Sequence, residues 1–169
     1  MPEPSLRLST LELGKEDMKF SAGHFTIFSA TERENLHGHN FRVKVLIEAE
    51  LQADGMCFDY GLYKRRIRKL CAAWDEITIL PSLSPHLRIE QDQTHVYAHF
   101  NGESIPFLKR DVLLLPIFNA TVEEFSRLLL AELTDADEIE RFGIHALTVQ
   151  VYSGPGQSGA SSWRRDQPA

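Results

Sequence analysis

Residues 41–51 read FRVKVLIEAEL. Val43, Val45 and Ile47 fall on one side of this run, with Arg42, Lys44 and Glu48 between or beyond them. Successive side chains of a strand point to opposite faces, so alternation over this length predicts a half-buried β-strand. Asp54-Gly55 follows as a turn. Downstream the period changes. Over residues 59–74, Leu62, Ile67, Leu70 and Trp74 recur at close to 3.6 residues, which predicts a helix with Asp59 as its N-cap. Lys64, Arg65, Arg66, Arg68 and Lys69 then face water, and this basic run reads as a solvated helix face rather than a nucleic-acid stripe.

Working outward, residues 94–100 and 104–108 flank Asn101-Gly102 and predict a β-hairpin, set in an insert over residues 82–116. Thr121 caps a second helix, with Glu123 and Glu124 in its first turn and an apolar stripe of Phe125, Leu128, Leu129 and Leu133. Residues 146–152, ALTVQVY, form a last strand that Gly154-Pro155-Gly156 ends. On the other side, residues 1–16 are polar and lead into a first strand whose end is MKFSAGH, residues 18–24. The order strand, strand, helix, hairpin, helix, strand is an α+β pattern, an antiparallel sheet with helices on one face.

The 169 residues suit one domain spanning 1–169, with 43% hydrophobic and 25% charged residues for a core and a wet surface. A net charge of −6 argues against a nucleic-acid partner. No apolar run reaches the roughly 20 residues of a membrane span, and MPEPSLRLST has no signal-peptide core. The chain therefore reads as cytoplasmic, where Cys57 and Cys71 stay thiols, expected as buried structural groups.

His37-Gly38-His39 is the most informative triplet. In an extended segment residues i and i+2 share a side, so two imidazoles converge. His24, on a neighbouring strand, would complete a three-histidine zinc site with an open fourth position. Gly38 leaves room for substrate or backbone approach. By itself the pair is a weak signal, because short motifs recur by chance. His86, His95, His99 and His145 are expected as surface or satisfied core histidines.

The flanking residues sharpen this. Phe20-Ser21-Ala22-Gly23-His24, then Leu36-His37-Gly38-His39-Asn40-Phe41, resembles the FSAxH…HGHNY pair of the 6-pyruvoyl-tetrahydropterin synthase family, which includes the 6-carboxytetrahydropterin synthases. Gly55-Met56, Phe58-Asp59-Tyr60 and Lys64 resemble its GMVxDFxxLK segment; Thr121-Val122-Glu123-Glu124 resembles its TxEN segment; VQVYSGPGQ, residues 149–157, resembles its last strand and following loop. The matches keep the family's order from about residue 18 to residue 162.

The resemblance implies a T-fold (tunnelling fold), an antiparallel sheet with two helices on one face, in subunits that form rings, usually a homohexamer built as a dimer of trimers with active sites between subunits. It implies zinc on His24, His37 and His39, and a lyase reaction on 7,8-dihydroneopterin triphosphate that eliminates triphosphate. Zinc as a Lewis acid lowers the cost of enolate-like charge, and a base removes a proton.

Three positions depart from the family. Its cysteine base before HGH is absent; Glu32 and Glu34 stand in TERENLHGHN, and Glu34 resembles the glutamate of a subgroup linked to folate synthesis that releases 6-hydroxymethyl-7,8-dihydropterin. Such a carboxylate serves as a base if burial raises its pKa toward neutrality. The family's Asp-His pair after the first helix is matched by Asp75 and Glu76, candidate proton-relay groups. Its pterin-anchoring glutamate in the last strand is matched by Ser153, which lacks the two-oxygen geometry. Glu123 remains as the candidate ring anchor, with Thr121 beside it. The rival readings are a zinc-binding T-fold paralogue with an altered substrate or no lyase activity, and a scaffold without metal.

Overall fold

A computed structural model describes residues 6–167; the sequence reading of residues 1–5 lies outside them. In chain order the elements are β1 (Leu8–Leu13), β2 (Lys19–His24), β3 (His37–Glu50), α1 (Gly61–Ala73), β4 (Ile77–Pro81), β5 (Arg88–Gln91), β6 (His95–Phe100), β7 (Glu103–Leu108), β8 (Val112–Leu115), α2 (Val122–Leu133), α3 (Ala136–Arg141), β9 (Ile144–Gly154) and β10 (Gln157–Arg164). The main sheet runs β10-β9-β3-β2-β4-β8, and β1 also pairs with β3. No helix among the described residues is long and apolar enough to cross a membrane.

β3 organises the sheet. Its odd residues Phe41, Val43, Val45 and Ile47 are buried, as the alternation requires. Its 14 residues outrun any one partner on that edge. β1 pairs with residues 45–50 and β2 with residues 37–42, both antiparallel. The single first strand expected from the sequence is thus two. A turn in which Met18 N donates to Lys15 O at 3.0 Å separates them, and buried Met18 anchors it. The sheet is antiparallel except at β2–β4 and β4–β8. There the crossover through β3 and α1, and the connection through the second sheet, return the chain in the same direction.

α1 buries Tyr63, Ile67 and Cys71, with Trp74 just beyond it, so the stripe runs through Tyr63 rather than Leu62. Asp59 does not cap the helix from its cap position. That position is Tyr60, and the Asp59 carboxylate accepts from Gly61 N at 2.9 Å. Arg66 is no free surface cation: it pairs with Glu138 and donates to Glu132 O at 2.8 Å, tying α1 to α3 and to the end of α2. The six-residue α3 went unanticipated; Asp135 caps it by accepting from Glu138 N at 3.0 Å. α2 follows the expected pattern, burying Phe125, Leu129 and Leu133 with Leu128 packed at the margin, and the Thr121 side chain accepts from Glu124 N. Where α2 begins, β10 passes so close that a Cβ on Gly159 would sit 2.8 Å from Glu123 N. Only glycine leaves room there.

The principal core joins the sheet to α1 and α2. At its centre Phe20, Phe41, Trp74 and Phe125 interlock, with Phe20–Phe41 centroids at 5.0 Å and Phe41–Phe125 at 5.2 Å, nearly perpendicular. A smaller cluster of Phe25, Ile27, Leu80, Leu87, Val96, Ala98 and Phe100 lies under a separate sheet, β5-β6-β7. Its β6–β7 hairpin turns at Asn101-Gly102, where φ of +47° and +81° give the left-handed pair a tight turn needs. Cys57 and Cys71 are buried free thiols; burial pushes Cys71 up to about 12 and Cys57 upward too.

Candidate metal centre

The site is written into the β2–β3 register. His24 pairs with His37, Ala22 with His39 and Phe20 with Phe41. The even residues of β2 and the odd residues of β3 share the helix-facing side, where Phe20, Ala22, His24 and Phe41 are buried. Because Ala22 is small, the His39 ring can lean toward the other two. Ring centroids lie at 4.7 Å for His24–His37, 5.1 Å for His24–His39 and 4.8 Å for His37–His39. The floor is apolar: Phe41 stands 5.3 Å from His24 and 5.4 Å from His39, and Phe125 stands 6.4 Å from His24.

Hydrogen bonds assign the lone pairs. His24 Nδ1 lies 2.7 Å from Ala120 O and His37 Nδ1 lies 2.8 Å from Asn35 O. A carbonyl only accepts, so both Nδ1 atoms carry protons and both Nε2 atoms present lone pairs. His24 Nε2 is buried without a hydrogen-bond partner among the described residues. His37 Nε2 lies 3.0 Å from His39 Nε2, and one candidate ligand atom from each ring falls within 4.8 Å of the others. Lone-pair nitrogens converging over an apolar floor, one of them orphaned, fit a shared cation. The backbone carbonyls are the outer partners that orient such ligands. Burial, then the neighbouring imidazoles, push His24 below the usual histidine range against the opposing Ala120 bond. Burial and His37 do the same to His39, against Glu34. Both rings are held neutral, the form a metal requires.

Glu34 lies within electrostatic reach of His37 and His24. Thr26 holds it twice: Glu34 N donates to Thr26 O, and Thr26 N donates to Glu34 Oε2, each at 2.9 Å. Burial works to raise its pKa, but the Thr26 bonds and the nearby imidazoles outweigh it, so the carboxyl sits below its ordinary value. The expected rise toward neutrality does not occur, because Thr26 stabilises the charged form.

Asp75 and Glu76 lie one strand over. Asp75 Oδ1 accepts from Ser21 N at 2.7 Å. Glu76, with φ +55°, lines a cleft of about 490 Å³ together with Ser21, Gly23, His39, Asn40, Thr78 and Asp111. Strand alternation puts Ser21, Gly23 and Asn40 on the face away from the imidazole tips. Neither acid hydrogen-bonds an imidazole among the described residues.

Thr121 and Glu123 stand at the start of α2, directly after the Ala120 carbonyl that holds His24. The Glu123 carboxylate is exposed and makes no hydrogen bond or ion pair among the described residues, whereas Glu124 accepts from Phe118 N and pairs with Arg127. Ser153 shares the helix-facing side of β9 with buried Val149 and Val151, one step past the Arg42–Tyr152 pair, which brings it to the same end of the sheet. The histidine triplet and its third partner were legible in the sequence. The Ala120 carbonyl was not, since every residue has one and only the fold aims it. Nor was the Asn119 side chain, which clamps Ile27 through both its N and its O at 3.0 and 2.8 Å.

A largely antiparallel sheet backed by helices, with three imidazoles at the mouth of the β2–β3 hairpin, is a T-fold domain with a histidine cluster able to hold a metal. The model of the 6-pyruvoyl tetrahydropterin synthase family matches residues 13–161, and the chain belongs to that family, whose enzymes are pterin lyases. It is 30% identical over 158 residues to a Methanocaldococcus jannaschii protein provisionally named 6-carboxy-5,6,7,8-tetrahydropterin synthase, covering 90% of this chain and 92% of the relative. Among solved structures, the Plasmodium vivax 6-pyruvoyltetrahydropterin synthase superposes with a TM-score of 0.89 at 26% identity over 94% of this chain and 99% of that one; it is known also with a catalytic glutamate replaced by alanine or by cysteine. The Plasmodium falciparum enzyme superposes with a TM-score of 0.88 at 25% identity, covering 93% and 98%.

Proposed function

We propose that the chain is a zinc-dependent lyase that takes 7,8-dihydroneopterin triphosphate, or a close relative, and eliminates triphosphate. The observation that carries this reading is the convergence of the His24, His37 and His39 lone pairs beside the Glu34 carboxylate. Zinc held there would supply Lewis acidity toward the substrate's side-chain hydroxyls. Glu34, held below its ordinary pKa and so ionised, takes the proton from the substrate's side chain. Its place as base is supported by the Plasmodium vivax relative, in which a glutamate is a catalytic residue. The exposed Glu123 carboxylate anchors the amino-pyrimidine edge of the ring, with Thr121 and Ser153 beside it. Asp75 and Glu76 act as relay groups across a subunit boundary, in a homohexamer built as a dimer of trimers and working in the cytoplasm. One domain spans the chain, with residues 82–116 as its insert.

The test is turnover of 7,8-dihydroneopterin triphosphate by the zinc-loaded protein, with the pterin product identified. Free triphosphate is expected beside the pterin product; release of 6-hydroxymethyl-7,8-dihydropterin, the product of the subgroup that the glutamate before HGH resembles, would instead break the C1′–C2′ bond, return the abstracted proton to C1′ and carry the triphosphate away on a two-carbon aldehyde. A second reading, a paralogue with an altered substrate, is favoured by one observation: Ser153 cannot offer the bidentate carboxylate. Zinc binding without neopterin binding would select that reading. Protein lacking stoichiometric zinc, unchanged by His37→Ala, would sink both.

A further inference from the structure

The loop that carries Glu34 has little regular structure, an isolated bridge between Ile27 and Arg33 being its one ladder contact. Arg33 nevertheless points inward and keeps only 16% side-chain exposure. Its guanidinium lies 4.9 Å from the Phe25 ring and 5.6 Å from the Phe100 ring. Nη1 donates to Glu34 O at 2.8 Å, and Nη2 faces the Glu103 carboxylate at 3.6 Å. Phe25 follows directly on His24, while Phe100 and Glu103 flank the β6–β7 turn. A cation from the site loop is therefore seated in the smaller apolar cluster, between the chain leaving the metal centre and the hairpin. Enclosing a cation is unfavourable unless π faces and acceptors replace its water. Arginine suits this place because it is planar and carries several N–H groups; lysine offers one point charge.

We propose that Arg33 is a positioning residue for Glu34, pinning the site loop to the β6–β7 hairpin so that the carboxylate meets the imidazoles in one orientation. The three-stranded sheet then serves the reaction by holding this loop. The inference rests on Glu34 being the base.

The test compares wild type, Arg33→Met, Glu34→Gln and the double variant for kcat and KM on 7,8-dihydroneopterin triphosphate. Zinc content and amide hydrogen exchange over residues 26–36 are measured alongside. Arg33→Met is expected to lower kcat by about 10- to 100-fold, the range of a displaced catalytic group, with KM and zinc content nearly unchanged. The double variant is expected to be no slower than Glu34→Gln, since both changes remove one function. An unchanged kcat, or losses that multiply, overturns the proposal. Should Arg33→Met fold poorly, Arg33→Lys keeps the charge and replaces it in the same cycle with the same criteria. Should wild type fail to turn over the pterin, the lyase reading falls, and exchange alone judges the pinning: faster exchange over residues 26–36 in Arg33→Met supports it, and unchanged exchange overturns it.

Discussion

At the scale of single residues, the site depends on where lone pairs and protons sit. An imidazole binds a metal only through a neutral nitrogen, and His24 and His39 are held below the ordinary histidine range, so protons would compete with a bound cation only as the pH falls below that range. Zinc affinity, measured by competition with a chelator, is expected to be level above neutrality and to fall steeply below about pH 6. His37→Ala is expected to leave the protein folded, because its side chain is exposed, but to abolish stoichiometric zinc. Metal analysis of the purified variant checks this. Glu34→Gln keeps the size and loses the acceptor charge; kcat should drop by about 10²- to 10⁴-fold with zinc retained, the span typical of general-base removal. Since Glu34 is held below its ordinary value, the acid limb of the wild-type kcat profile should fall in the carboxylate range rather than near neutrality.

At the scale of elements, two contacts place the machinery. β10 crosses α2 at Gly159, where an added Cβ would meet backbone at 2.8 Å and nothing flexible can yield. Gly159→Ala is expected to cost about 1–3 kcal/mol, read as a fall in Tm of about 2–4 °C per kcal/mol. It should also displace Glu123 and weaken pterin binding. The second contact is the turn that opens β6. The Asp92 carboxylate accepts from Thr94 N and His95 N at 2.7 Å each and from Tyr97 Oη at 2.9 Å, and these bonds hold its pKa at about 2. A folded pKa below the ordinary aspartate value of 3.8 means stability present above that value and lost as the pH falls toward 2. Hydrogen-exchange protection in β6 and β7, taken relative to the intrinsic amide rate at each pH, should therefore fall over that window in wild type, and already be low at neutral pH in Asp92→Ala.

Across the whole molecule, the histidine cluster and the core are one structure. Phe41 and Phe125 form the floor of the imidazoles and the centre of the aromatic cluster, so the rings holding the site are those holding the helices to the sheet. Phe125→Ala is expected to destabilise by about 3–5 kcal/mol, as large-to-small core changes do, and to lower zinc affinity in the same variant. Denaturant melts with and without zinc separate the two effects.

The alternating run of β3, the α2 stripe with its Thr121 cap, the Asn101-Gly102 turn and the histidine triplet are all local patterns, set by strand parity, helix period and turn chemistry within a dozen residues. These were legible in the sequence alone, and with the flanking motif they pointed to the family whose model then matched residues 13–161. The rest was set by long-range pairing. A polar first segment has no period that tells one strand from two; the length of β3 separates β1 from β2. The parallel entry of β4 and β8, the Ala120 carbonyl behind His24, the Thr26 bonds that keep Glu34 ionised and the seating of Arg33 between Phe25 and Phe100 join residues far apart in the chain or turned by an irregular loop. Neither propensity nor spacing encodes such contacts. They exist only once the sheet has closed and the hydrogen-bond needs of buried groups have been met by whatever backbone or side chain the fold brings near.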